Sequence, residues 1–457
     1  MECMRWITCV LAPPKNTTGN GVAGGACTEG AANGTRTEYE EGVDIDQSQL
    51  NGGGPYSLTG GGIQSIDPTR LPRDPFNHCL PVFPWNFVRT NTIYGLIHAA
   101  GGYTAWSDKH AVYAAVSGPG NNASNIDDYY SPDVNSNVIA LPGVTTPTGL
   151  SCAAILDPNG GAWVDSFQNI KCYDTLKVNA ILNEIDGKTH DGLFKAQVPT
   201  LFGMNFQAVS VGQKLIEGGV KGGYTDAAGT PTPAMLGEIK FVDASIGQMV
   251  SELRKQGLLA STLVIITAKH GQSPVDTNRV NKIKSTSADN LLQTFLPFSE
   301  SPSNPSGIGP TEDDISQIWL ANSSDTLTAV GILEANAAAA GIGQIFYGPS
   351  LETMFNAPGL PPNGDPRTPD IIVQPNVGVI YTGSSKKQAE HGGLAHDDTN
   401  VMLLVSNPGF AASTVTSFVE TTQVAPTILQ ALGLDPSGLD AVQKEGTAVL
   451  PGLKFKQ

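Results

Sequence analysis

The apolar positions between residues 236 and 268 change period partway. Ile239, Val242, Ile246, Met249, Val250 and Leu253 recur at helical spacing, and Gly257 closes the helix. Leu263-Val264-Ile265-Ile266-Thr267-Ala268 then runs apolar and β-branched without alternation, the pattern of a strand covered on both faces. It ends in Lys269-His270-Gly271-Gln272-Ser273-Pro274. Residues 92–100 predict a helix ending at Gly101-Gly102, and 103–107 a strand that delivers Asp108-Lys109-His110. A helix follows over 174–185, and a short strand over 198–202 that Gly203 ends before Met204-Asn205-Phe206-Gln207. Further on, 332–340 reads as helix, 370–373, 377–381 and 401–405 as strands, and 421–432 as a helix with Pro426 near its first turn. Residues 111–160 read as loop.

Strands alternating with helices predict an α/β fold, a three-layer sandwich whose central sheet is mixed but mostly parallel, with helices on both faces. Two parts are expected. Residues 1–85 form a loop-rich N-terminal excursion, and 86–457 one catalytic-type domain with loop insertions. The excursion holds Gly19-Asn20-Gly21-Val22-Ala23-Gly24, which fits GxGxxG, but no strand precedes it and no helical pattern follows, so the dinucleotide reading fails.

Composition narrows the class. The 457 residues carry 26 basic and 42 acidic side chains, a net charge of −16, which disfavours a nucleic-acid polymer as partner while leaving room for a local cationic site. No apolar run reaches the roughly 18 residues of a membrane span. The opening Met1-Glu2-Cys3-Met4-Arg5-Trp6 lacks the basic and apolar regions of a signal peptide. Six cysteines match no zinc-finger spacing. Cys152 with Cys172, and Cys27 with Cys79, are placed to close disulfide loops, with free buried thiols as the other reading. Asn16, Asn33, Asn122 and Asn322 sit in glycosylation sequons, about the number chance would give.

Two histidine loops carry candidate chemistry. His270 follows the apolar strand with Gly271 beside it. His391 is followed by Gly392 and Gly393, which allow close backbone approach. His396, Asp397 and Asp398 add nitrogen and oxygen donors, and imidazole with carboxylate is the usual ligand set of a hydrolytic zinc. His98 and His190 read as hydrogen-bonded structural residues, and His78 carries no signal.

A strand leading to a His-Gly pair, a distant His-Gly-Gly before an apolar strand, and the helix Thr422-Gln423-Val424-Ala425-Pro426-Thr427-Ile428-Leu429-Gln430-Ala431-Leu432-Gly433 together resemble the alkaline-phosphatase superfamily. Residues 86–453 resemble its type I phosphodiesterase/nucleotide pyrophosphatase branch. The resemblance implies metal-assisted hydrolysis of a phosphate ester or anhydride, with zinc the expected ion and a secreted, disulfide-bonded and glycosylated protein in full-length form. His270 matches the histidine of an Asp-His pair and His391 the distant histidine ligand; His396 and Asp397 complete the expected metal set.

Departures from that pattern are equally specific. Asn205 falls where a carboxylate is expected, Val209 where its histidine would be, and Lys269 on the other aspartate. The local charge moves by about three units toward positive, which sets a second divalent ion against like charge. One ion rather than two is therefore expected, with Lys269 and Lys109 as catalytic cations and Asn205 and His110 as substrate-binding groups. The plainer reading of Lys109 is a surface lysine beside Asp108. The strand and Thr/Ser nucleophile that the resemblance places upstream find no match before Pro13, so an incomplete start and an inactive chain are expected. The alternatives are a non-catalytic anion-binding relative and a one-metal, sulfatase-like hydrolase. The expected partner is a small phosphate- or sulfate-bearing substrate, and the oligomeric state stays open.

Overall fold

A computed structural model describes residues 63–69, 71, 73–74, 77–134, 136, 141, 143–152, 163–298, 310–353, 355–359, 364–365 and 368–454, with Glu29 and the backbone of 6–11 and 35–39. Most of the expected excursion, with Cys27, Asn16, Asn33 and the glycine motif at 19–24, lies outside the described residues.

The period-3.6 pattern forms the helix Pro233–Lys255. Its first turn is set by Pro233 and by Thr232, whose hydroxyl accepts from the Met235 N–H at 3.2 Å. It ends at Gly257, where φ is +73°. The helix packs on Asn169–Ile185, and Phe241 joins Ile170, Tyr173, Leu176 and Ala180 in one apolar cluster. Cys152 and Cys172 form a disulfide that fastens the preceding loop to this second helix; Cys79 is disulfide-bonded as well.

Among the described residues the strands form several small sheets. Ala105–Ser107 runs parallel to Asp128–Tyr130, and parallel bridges join Thr104 to Leu201 and Ser107 to Met204 on the other side. Both C-terminal ends, at Asp108 and Asn205, therefore emerge on one side, where ligands gather in open α/β sheets. A four-stranded antiparallel sheet runs in the order Thr311–Glu312, Ser316–Ile318, Ile371–Pro375, Ile342–Tyr347. Ile318, Ile371 and Val373 pack there against Ala329 and Leu333 of the helix Thr326–Ala335. The molecule is thus mixed α/β, with parallel pairing around residues 104–204 and antiparallel pairing around 311–375.

Several expectations shift. Residues 111–160 are not all loop: they hold the 3-10 helix Ala111–Ser117 and the strand Asp128–Tyr130, which a search for apolar alternation misses because it opens on Asp128 directly after Asp127. The helix expected over 332–340 breaks at Asn336 into Thr326–Ala335 and Ala337–Ala340. The strand Val264–Thr267 forms as expected, but it is not covered on both faces. Val264, Ile265 and Ile266 are half-buried and Thr267 is exposed. It pairs antiparallel with Leu403–Ser406 along one edge, and among the described residues no strand pairs with the other.

Candidate functional site

The His270 and His391 loops are tied together by backbone. Ser273 and Glu390 exchange two N–H···O bonds of 2.8 Å, and the Gly271 N–H donates to the Asp398 carbonyl at 2.6 Å. Only glycine fits at 271, because a Cβ there would stand 2.0 Å from the Asp397 carbonyl oxygen. Gly392 takes a φ of +110°, which a side chain would strain. These constraints bring the two imidazoles to a centroid separation of 4.2 Å at 35°.

His270 Nδ1 lies 2.7 Å from the Gly271 carbonyl, which can only accept. The proton therefore sits on Nδ1, and Nε2 keeps its lone pair. Burial pushes the His270 imidazole down to about 4. The charges of Lys269, Lys214 and Lys109 push the same way, against the Gly271 hydrogen bond. Burial lowers His391 further, assisted by Lys214, His270, Lys109 and Lys269. Both imidazoles are thus biased toward their neutral forms, by burial first and by the positive charge of Lys269, Lys214 and Lys109 second.

Tyr113 organises the lysines. Lys269 Nζ donates to the Tyr113 hydroxyl at 2.6 Å and lies 4.6 Å from its ring centroid; Lys109 Nζ lies 5.9 Å from the same centroid. The ring stacks on His110 at 6.5 Å. His110 itself is buried, with Nδ1 3.1 Å from Asp133 Oδ2, so it backs Tyr113 from inside. Lys214 and Lys387 both pair with the buried Glu390, Lys214 at 3.6 Å, next to His391 in the chain.

Asn205 is committed at both ends of its amide. Nδ2 donates to Asp108 Oδ1 at 3.2 Å, and Oδ1 accepts from Gln207 Nε2 at 3.0 Å. Asp108 also accepts from Trp106 Nε1 and from the Lys109 N–H. Beneath Asn205, Lys177 is fully buried; its ammonium donates to the Asn205 carbonyl and pairs with Asp174 Oδ1 at 3.1 Å. Asp174 in turn accepts from the Gln207 and Ala208 N–H groups, fixing the start of the helix Ala208–Lys214.

Thus His270, His391, Lys269 and Lys109 come together. His396 is exposed at the start of the one-turn helix His396–Thr399, and Asp397 Oδ2 accepts from the Val275 N–H at 2.8 Å. Among the described residues no group of three or more His, Cys, Asp or Glu side chains gathers as a metal cage. His98 and His190 lie against Asp127 and Asp128. Sequence reasoning missed Tyr113, Lys214 and the Asp174–Lys177 pair. The last had a signal, an acid and a base three apart on a predicted helix.

Residues 223–398, which include Lys269, His270 and His391, match the model of the family described as Type I phosphodiesterase / nucleotide pyrophosphatase, and the match assigns that stretch to the family. No curated protein matches the chain. Among solved structures it is similar to human ectonucleotide pyrophosphatase / phosphodiesterase 5, at 14% identity over 79% of this chain and 74% of that one, with a TM-score of 0.45. Phosphonoacetate hydrolase from Sinorhizobium meliloti 1021, in complex with phosphonoformate, is 14% identical over 78% and 76%, with a TM-score of 0.41. Wild-type alkaline phosphatase PafA is 10% identical over 76% and 75%, with a TM-score of 0.44. Superpositions this loose place no individual residue.

Proposed function

We propose that residues 86–457 act as one catalytic-type domain, a phosphoester hydrolase that takes a small phosphate-bearing ester at the His270–His391 pair. The observation that carries this reading is the 4.2 Å approach of the two rings, within the field of Lys269 and Lys109. Fixed ammonium groups suit the anionic oxygens of a phosphoryl group, and a cationic site also stabilises charge that builds up on those oxygens. Lys269, held by Tyr113, is pre-oriented for that role, and Lys109 supports it. Asn205 reaches the same side through the strand end beside Asp108, though its amide is already engaged.

The residues fit one divalent ion and not two. His270 Nε2 and an imidazole nitrogen of His391 are two nitrogen donors of the kind zinc takes, and when bound such an ion would add positive charge against the ester. Lys269 and Asn205 hold the positions from which carboxylates would anchor a second ion. The Cys152–Cys172 disulfide supports export to an oxidising compartment.

A second reading, anion binding without turnover, is favoured by the same Lys269 and Asn205. One experiment separates them. The full chain is assayed with nitrophenyl phosphate, a bis-nitrophenyl phosphodiester and nitrophenyl sulfate, with and without chelator, alongside phosphate binding by calorimetry and metal content per chain. Turnover of a phosphate ester with at most one ion per chain supports the hydrolase and overturns the inactive chain expected from the sequence. Phosphate binding with no turnover selects the second reading, a preference for sulfate selects a sulfatase-like enzyme, and neither binding nor turnover rejects the site.

A further inference from the structure

Leu193 and Phe194 are 72% and 67% exposed, and among the described residues no other two consecutive large apolar side chains both stand so far out. The loop that carries them is fixed by its own hydrogen bonds. It follows the helix Asn169–Ile185 and turns back at Gly192, where φ is +73°. The Gly192 N–H donates to the Thr189 carbonyl at 2.7 Å, the Leu193 N–H to Asp191 Oδ1 at 2.9 Å and the Phe194 N–H to Thr189 Oγ1 at 3.2 Å. The Thr189 N–H donates to the Phe194 carbonyl at 3.0 Å, and Asn183 Nδ2 to the His190 carbonyl at 2.9 Å. The apex thus presents two apolar side chains while its N–H groups are satisfied from inside.

That arrangement discriminates between occupants. A strand adding to the apex would need free N–H groups there. An apolar solvent requires that they be satisfied within the loop, and here they are. The arms below the apex carry matching charge. Lys188 and Lys195 are bridged opposite each other on the two antiparallel arms, so their side chains share one face. Like charges so placed repel, and Asp186, 3.4 Å from Lys188, relieves one of them. Anionic headgroups would relieve both, with the apolar tip in the acyl boundary and the lysines at headgroup level. The net charge of −16 opposes such contact at long range, but screening confines each charge to about 8 Å at physiological ionic strength.

The place of the loop decides what docking would do. The His190 N–H donates to Asp128 Oδ2 at 2.7 Å, and His190 Nδ1 lies 2.5 Å from Asp128 Oδ1. Asp128 opens the strand Asp128–Tyr130 and pairs with Ala105, the first residue of Ala105–Ser107. The loop therefore hangs from the N-terminal ends of these strands, whereas Asp108 and Asn205 follow the C-terminal ends. We infer that the Leu193–Phe194 apex, flanked by Lys188 and Lys195, is a docking point for an anionic lipid surface, which it meets with the His270–His391 side turned toward water.

The test is flotation of the full chain with extruded vesicles, one set of phosphatidylcholine alone and one of equal parts phosphatidylcholine and phosphatidylglycerol. The parent is expected to float with the anionic set, less with the neutral set, and less again as salt is added. Leu193→Ser with Phe194→Ser should lower the partition by at least about tenfold. Lys188→Gln with Lys195→Gln should lower it on the anionic set and leave the neutral set unchanged. All four side chains are exposed, so each variant should unfold at the temperature of the parent. A parent that floats with neither set overturns the inference, as does flotation that survives Leu193→Ser with Phe194→Ser, which would be adsorption elsewhere. A dimer in lipid-free sedimentation velocity that the same double substitution abolishes would give the apex to a second copy of the chain and overturn it equally. Flotation needs neither phosphate binding nor turnover, so this inference and the hydrolase reading can fail separately.

Discussion

Lys269 occupies a position whose charge decides what the site can hold. Its ammonium donates a hydrogen bond to Tyr113 and lies close enough to both imidazoles to lower their basicity. Charge-assisted hydrogen bonds contribute about 1.5–3 kcal/mol, so Lys269→Ala is expected to weaken phosphate binding by roughly ten- to hundredfold. Because Lys269 is exposed, the unfolding midpoint should stay within about 0.5 kcal/mol of the parent. Tyr113→Phe removes only the orienting hydroxyl and should cost about fivefold, near 1 kcal/mol. Calorimetry with phosphate reads both, and unchanged affinity in Lys269→Ala would remove it from the site. Lys269 and His270 were legible because they end an apolar run, with Gly271 next to His270, and His391 because Gly392 and Gly393 follow it. Tyr113 was not, because nothing local marks a tyrosine in Ala111–Ser117 as the support of two lysines 4 and 156 positions away.

At the scale of elements, the loops and helix starts transmit geometry to the site. Gly271→Ala sets a methyl against the Asp397 carbonyl, 2.0 Å from the ideal Cβ position. The loop must shift, at a cost on the order of 1–3 kcal/mol as in other overpacked sites, and His270 moves with it. Urea unfolding and phosphate affinity should fall together; a stable variant with full affinity would show that the loop contact does not position the ring. A pH effect belongs to the helix pair. Glu238, on Pro233–Lys255, is buried with Oε1 3.0 Å from Lys171 Nζ and Oε2 without a hydrogen bond. Burial lifts its carboxyl to about 7; the Lys171 hydrogen bond and charge oppose this, and Asp174 and Glu217 add to it. A raised acid binds its proton more tightly in the folded state. Its contribution is therefore fully present below about pH 4.5 and is lost as pH rises toward 7, by roughly 3 kcal/mol at about 1.4 kcal/mol per unit. Glu238→Gln should flatten unfolding stability between pH 5 and 7.5, and a profile unchanged by the substitution would assign the slope elsewhere. Helix existence was legible from period, and boundaries moved where caps such as Thr232 and the break at Asn336 intervened.

For the whole molecule, the apolar run at 263–268 links pattern to behaviour. It was legible as a strand, and its type was right, but a single-sequence pattern records what a strand is built to be covered by and not what pairs with it. Here Val264–Thr267 pairs, among the described residues, with Leu403–Ser406 alone, and Val264, Ile265 and Ile266 stay half-buried. The ribbon exposes Met402 at 59% and Leu404 at 45%, beside an edge that no described strand covers. An unpaired apolar edge recruits strands from other chains, and the net charge of −16 opposes this only as far as screening allows. Concentration-dependent self-association that grows with added salt is the expected result in sedimentation velocity. Met402→Lys with Leu404→Lys should suppress it by placing charge on the ribbon, while thermal unfolding shifts by no more than about 0.5 kcal/mol per exposed site. A chain that stays monomeric at high salt and tens of micromolar would show that the edge is already satisfied, and the half-buried ribbon would then need another explanation.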